Sequence, residues 1–169
     1  MRLKRRSDTS YPTPPDFTFF TDRDLGKIFP RILRENGWNV VRYGDHYGER
    51  PVPDDEWIMF AAKQGWIALS HDRNIRSDPV AIRAVMEGGG RLFVVRGKNL
   101  TAPDKAVLVV ASLGGIHRVL QEQTEAFIGV ISRKSMKHGL IKPDVQVRLT
   151  LDEWRRGKQL LVESEELFL

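Results

Sequence analysis

The sequence predicts an α/β domain with a largely parallel sheet, and three features carry that expectation. Short apolar, β-rich runs alternate with segments of helical spacing between residues 16 and 132. One of those runs, Trp66 to Ser70, is apolar on nearly every residue, the pattern of a strand buried on both faces of a parallel sheet. Helical segments open on residues that cap helices, such as Asp78 followed by Pro79. Strands that alternate with helices pair in parallel, because each crossover helix returns the chain to the same edge of the sheet.

The first strand is read at Phe17 to Thr21 and ends at Asp22; Leu25, Ile28, Ile32 and Leu33 follow at helical spacing up to Gly37. Pro30 has no N–H to donate, so it breaks or kinks that helix or sits in the first turn of a second segment. Trp38 to Tyr43 is the second strand, and Gly44 to Pro53 reads as a loop rich in Gly, Pro and charge. A helix starts at Asp54, carries Trp57, Ile58, Ala61 and Ala62 on one face, and stops at Gly65. The third strand, Trp66 to Ser70, is closed by His71 and Asp72, and the helix after Asp78 runs to Gly88–Gly90. Arg91 to Arg96 is the fourth strand. Thr101 and Pro103 open a long helix to about Glu125, disturbed at Gly114 and Gly115, and Phe127 to Ser132 is the fifth strand. Residues 134–169 read as a basic C-terminal extension, with a strand at Val145 to Leu149 and Thr150 capping a short helix that carries Trp154. The organisation is thus a Pro-rich basic arm over 1–15, one domain over 16–133 and the extension over 134–169.

Composition narrows the chemistry. The 169 residues suit one hydrophobic core, at 41% hydrophobic and 29% charged. No apolar run approaches the roughly 18 to 20 residues that span a bilayer. Met1 to Arg6 is followed by Ser, Asp, Thr and prolines in place of an apolar stretch, which argues against a secretory signal. Without cysteine there is no disulfide framework, thiolate catalysis or Cys-held metal, and a reducing cytoplasm is the natural compartment. The net charge is +5 and the pI about 9.7, with basic residues at both ends of the chain and acids between them. That layout suits a polyanion held at the flanks and a divalent cation at the centre.

In open parallel sheets ligands bind beyond the carboxyl ends of the strands. Asp22 and Asp24 follow the first strand, Asp72 follows the third, and Asp54, Asp55 and Glu56 open the helix leading into the third. Gathered carboxylates raise one another's pKa, and a divalent cation removes that penalty. Oxygen-only ligation suits Mg²⁺ or Mn²⁺, which accept phosphate oxygens as further ligands and acidify a bound water, so the inferred reaction is phosphodiester hydrolysis. The plainer reading is that Asp24 and Asp54 simply cap helices; Asp22 and Asp72 have no such use directly after apolar strands. His71, Arg73 and Arg76 stand near enough to hold substrate phosphates. Asp45 and His46 read as turn residues or an additional ligand or base, Trp57 and Trp66 as core. Gly88–Gly90 lack the Lys-Ser/Thr of a phosphate loop.

The strand followed by Asp22-Arg23-Asp24-Leu25-Gly26, then Asp54-Asp55-Glu56-Trp57-Ile58, then Gly65-Trp66-Ile67-Ala68-Leu69-Ser70-His71-Asp72-Arg73, resembles the PIN-like superfamily, in its branch related to the ribonuclease toxins of toxin–antitoxin pairs. The resemblance covers about Asp16 to Ser132. It implies a Rossmann-like three-layer α/β/α sandwich, a Mg²⁺ or Mn²⁺ site, an RNA substrate and an antitoxin-like protein partner. By position, it implies catalytic roles for Asp22, Asp54 and Asp72, with Asp24 auxiliary and Asp55 competing with Asp54 as ligand. Ser70 stands where many relatives have Thr, and the fourth acid is open between Asn74, which is also a candidate substrate contact, and Asp78.

Two other readings remain from the residues. Asp22-Arg23-Asp24 has the Asp-x-Asp form of a haloacid-dehalogenase-like phosphatase, with Lys98 as a supporting lysine, although Leu25-Gly26 does not continue that motif and the helix-start acids would be idle. A non-catalytic module of the same fold would bind RNA or a partner through an incomplete acidic cluster. The basic C-terminal segment, from Arg133 to Lys158, is expected to hold RNA, or else to dock an acidic partner or a second copy of the chain through Trp154.

Overall fold

The computed structural model describes residues 16–135, 139 and 141–166; the arm expected over residues 1–15 lies outside them. Six strands, β1 (Thr18–Thr21), β2 (Asn39–Arg42), β3 (Ile67–Ser70), β4 (Arg91–Val95), β5 (Phe127–Ser135) and β6 (Ile141–Thr150), form one sheet in the order β2-β1-β3-β4-β5-β6. The first five are parallel and β6 runs antiparallel to β5. The helices are α1 (Ile28–Glu35), α2 (Tyr43–Tyr47), α3 (Asp54–Lys63), α4 (Pro79–Gly88), α5 (Ala102–Ala111), α6 (Leu113–Glu122) and α7 (Leu151–Glu166).

Strand side chains alternate between faces, so adjacent residues serve different cores. Phe19, Ile67, Leu69, Phe93 and Phe127 pack with Phe29 and Leu33 of α1, Val109 of α5 and Ile116 of α6. Their neighbours Phe20, Ala68, Leu92, Val94 and Ile128 pack on the other face with Trp57 of α3, Val85 of α4 and Leu151 of α7. Two cores on two faces make the three-layer α/β/α sandwich, each large side chain contributing about 1.5–3 kcal/mol by leaving water. Trp57 is fully buried and Trp66 packs against its cluster, both as core residues.

Several elements depart from expectation for local reasons. Pro30 is the third residue of α1, where its missing N–H has no partner to lose, and a short 3-10 turn, Arg23–Leu25, precedes it. The positive φ of Gly26, +66°, lets the chain turn between the two. The stretch read as a loop after β2 begins with α2. Asp45 closes its first turn, accepting from Arg42 N at 2.9 Å and from Arg34 at 2.7 Å, and buried Tyr43 donates its hydroxyl to Arg50 O at 2.6 Å. The Asp45 carboxylate is therefore structural, and His46 stacks on Phe60. The long helix after Thr101 divides at Ser112, whose hydroxyl donates to Leu108 O at 2.7 Å. In α6, a Cβ on Gly115 would lie 2.7 Å from Val145, so glycine lets that helix sit close against β6.

The strand read at Val145 to Leu149 lies within β6, which adds the sixth strand to the sheet, and Val145 belongs to the core. Val95, the last residue of β4, pairs with Ile131, so the pairs Ser132–Asp144 through Ser135–Ile141 project as a hairpin beyond the carboxyl edge of the parallel strands. At the other end Thr150 pairs with Phe127, the first residue of β5, so α7 departs from the opposite edge. Thr150 and Glu153 form a capping box there, and α7 is longer than the short helix expected. Among the described residues, no helix is long and apolar enough to cross a membrane.

Candidate active site

The chain leaves β1 for β2 on one side and returns to β3 on the other, so the order of the sheet reverses between β1 and β3. At such a switch point the loops diverge and leave a crevice at the carboxyl ends of the strands. Asp22 and Asp72 flank this crevice, one directly after β1 and the other two residues after β3. Asp22 N donates to Leu69 O at 3.0 Å, which carries the β1–β3 pairing up to the acid itself.

Ser70 ties the two acids together. Its buried hydroxyl donates to Asp22 Oδ2 at 2.8 Å and accepts from Asp72 N at 3.0 Å. Asp22 is only 5% exposed. Burial pushes its carboxyl from the ordinary 3.8 up to about 6; Ser70 opposes that rise, while the nearby charges of Asp24 and Asp54 add to it. The remaining acids are more accessible. Asp24 sits in the 3-10 turn after Asp22, without the helix-capping role open to it, since Lys27 occupies the cap position of α1. Asp54 is the first residue of α3, behind Pro53, and accepts from Trp57 Nε1 at 3.0 Å in place of capping the helix. Asp55 follows it but is not among the charges that reach Asp22. Asp72 accepts from Asn74 N at 2.8 Å and caps the 3-10 turn Arg73–Arg76, so, against expectation, one of its oxygens has a capping use as well. Asp78 caps α4 through Val80 N at 3.0 Å, a structural use of its carboxylate.

Among the described residues, Asp22, Asp24, Asp54, Asp55 and Asp72 form no ion pair. A buried carboxylate without a countercharge is what a divalent cation would satisfy, and the oxygen-only donors suit a hard ion. Among the described residues, no three His, Asp or Glu side chains converge into a ready metal cage. Mg²⁺ does not need one, since it keeps several waters and is commonly held by one or two carboxylates.

Beside the acids the same edge carries a cavity of about 500 Å³. Among the described residues its lining includes His71 and five cations, Arg73, Arg96, Lys98, Lys105 and Arg133, and no carboxylate. Lys105 Nζ donates to His71 Nδ1 at 2.8 Å. Burial, then the Lys105 charge, holds the imidazole below its usual range, so His71 is neutral near pH 7 and carries its proton on Nε2. Arg76, expected at the site, is half-buried with its Nε lacking a partner among the described residues; burial and then the charges of Arg96 and Arg148 depress its pKa. Sequence reading missed Ser70 as the link between the acids, and missed Arg96 and Lys105; Arg133 was expected to hold RNA, but as part of the C-terminal segment and not beside the acids. The rule that singled out Asp22 and Asp72 would have found Arg96, which directly follows β4.

A doubly wound sheet with uncompensated carboxylates at its switch point defines an acid-centred α/β domain, and comparison with known proteins gives that class a family. Residues 17–97 match the family described as "PIN like domain". Over 103 residues the chain is 39% identical to the Mycobacterium tuberculosis protein named "Putative ribonuclease VapC45", an alignment spanning 59% of this chain and 75% of that protein. The chain belongs to the PIN-like family, in the branch that contains this VapC protein. No solved structure matches it.

Proposed function

We propose that this chain is a Mg²⁺- or Mn²⁺-dependent endoribonuclease, acting in the cytoplasm as the toxin of a toxin–antitoxin pair. The observation that carries the reading is Asp22, buried, uncompensated, and joined through Ser70 to the loop bearing Asp72. The named VapC relative supports ribonuclease chemistry and an antitoxin partner. Asp22 and Asp72 would hold the ion directly, with Asp24 and Asp54 toward its remaining waters, Asp54 being preferred to Asp55 because its charge reaches Asp22. When bound, such an ion polarises a phosphodiester and lowers the pKa of attacking water.

The protein's own groups supply placement. Ser70 fixes one carboxylate oxygen of Asp22 and the backbone of Asp72 at once, so the two acids keep one separation. Neutral His71 offers its Nε2–H as a donor at the boundary between acids and cations, and Arg73, with Asn74 beside it, flanks the same boundary. Arg76, in the same 3-10 turn, has a buried Nε without a hydrogen-bond partner among the described residues.

The test is cleavage of a long single-stranded RNA by the purified chain. Mg²⁺ or Mn²⁺ should support it, EDTA should stop it, and Asp22→Asn or Asp72→Asn should abolish it while circular dichroism stays unchanged. Expression of the active chain should arrest growth, and expression of Asp22→Asn should not. Cleavage that survives EDTA or Asp22→Asn overturns the proposal.

A further inference from the structure

The cavity beside the acids combines three properties that point to one ligand. Among the described residues it has five cationic side chains and no anionic one, and none of the five sits in an ion pair. Gathering like charges without a counterion is unfavourable, so a bound anion would be stabilised there. Among the described residues no Phe, Tyr or Trp lines it, and its one aromatic ring, His71, is held by Lys105, so charge outweighs base stacking in its lining. Its position is the third property: His71 and Arg73 bracket Asp72 in the chain, so the cavity adjoins the loop that carries that acid.

Its walls come from separate elements that the fold fixes at one edge. Arg96 and Lys98 follow β4, Lys105 lies in the first turns of α5, and Arg133 stands on the hairpin that projects past the edge. Arg73, Arg96 and Arg133 offer planar forks that match phosphate oxygens, and Lys98 and Lys105 offer point charges. A volume of about 500 Å³ exceeds the needs of a single phosphate group.

We propose that this cavity is a strand-anchoring subsite that binds successive backbone phosphates of single-stranded RNA, beside the point of cleavage and without reading the bases. The assignment deepens the ribonuclease reading and rests on it for the identity of the polyanion. It distributes labour along the carboxyl edge: carboxylates at β1 and β3 for the reacting phosphate, cations at β4 and β5 for its neighbours along the chain.

Binding can be tested apart from cleavage with the Asp22→Asn chain in EDTA, using a short fluorescein-labelled oligouridine and fluorescence anisotropy across a salt series. Arg96 and Lys98 are exposed, so Arg96→Ala with Lys98→Ala leaves the core intact. The double variant should weaken binding roughly tenfold and flatten the log–log salt slope by about 0.7 for each phosphate no longer neutralised. Oligoadenylate should lose the same amounts. An unchanged affinity and slope overturn the subsite. Displacement of oligouridine by inorganic phosphate or uridine monophosphate at equal phosphate concentration overturns it in favour of a free-anion site, and equal displacement by polyglutamate overturns it in favour of an acidic protein. Native chain that fails to cleave RNA while the double variant still flattens the slope removes the ribonuclease reading and upholds the subsite; cleavage together with an unchanged slope does the reverse.

Discussion

Ser70 is one hydroxyl with two tasks. It compensates part of the cost of burying Asp22 and it fixes the turn that presents Asp72. Ser70→Ala should therefore weaken Mn²⁺ binding and lower cleavage by roughly 10- to 100-fold, the scale of losing a group that orients a metal ligand. Ser70→Thr, which keeps the hydroxyl, should restore most of both; calorimetric Mn²⁺ titration of the three proteins checks this, and equal affinities would remove the positioning role. Asp22 itself carries a pH signature. An acid whose carboxyl moves from 3.8 unfolded to about 6 folded binds its proton more tightly in the native state. Its contribution is fully present below pH 4 and is lost as pH rises through 6, about 3 kcal/mol in all. Without divalent cation, Asp22→Asn should therefore gain stability over the native chain on going from pH 4 to pH 7.5, measured by urea denaturation. Parallel pH profiles for the two would mean that Asp22 is solvated in the folded protein.

At the scale of elements, the parts legible in the sequence are those with a local physical cause. The near-continuous apolar run of β3, the Asp78–Pro79 start of α4 and the Thr150 cap of α7 each act through neighbours in the chain, and each lies where the residues place it. What was not legible depends on contacts across the fold. Asp45 caps α2 locally through Arg42 N, but the Arg34 guanidinium that also holds it comes from α1. The same holds at the site: the acids were readable as residues after strands, whereas the Ser70–Asp22 bond joins residues 48 apart in the sequence. Gly115 is a third case, a helix glycine whose reason is β6. Gly115→Ala would gain helix propensity, but its methyl must displace Val145, so overpacking of about 1–3 kcal/mol should dominate. A lower thermal midpoint for Gly115→Ala, relieved by adding Val145→Ala, would confirm the close approach; a raised midpoint for the single variant would show that the sheet yields.

On the scale of the whole molecule, charge is distributed by the direction of the strands. The parallel strands end at one edge, and there stand the acids, the cationic cavity and the β5–β6 hairpin with Arg133, Lys134 and Lys142. Arg155, Arg156 and Lys158 belong to α7, which starts from the opposite edge, and Lys158 lies 3.4 Å from Glu87 near the end of α4 and over the Trp154 ring at 3.9 Å. Topology thus divides a C-terminal segment that, in sequence, looks like one RNA-holding unit. RNA spanning the site and the hairpin would lie far from the first turns of α7, whose exposed Arg155 and Arg156 remain free to face a protein partner or a second copy of the chain. Two paired charge reversals separate these roles. Lys134→Glu with Lys142→Glu should flatten the salt dependence of oligouridine binding by about 0.7 per phosphate left without its cation, discounted for Lys134 because it already pairs with Asp144 at 3.2 Å. Arg155→Glu with Arg156→Glu should leave that slope in place and instead alter the oligomeric state or the affinity for an acidic partner, read by sedimentation. If the α7 pair carries the salt dependence and the hairpin pair does not, RNA crosses the far edge of the sheet and the division of charge proposed for this molecule is reversed.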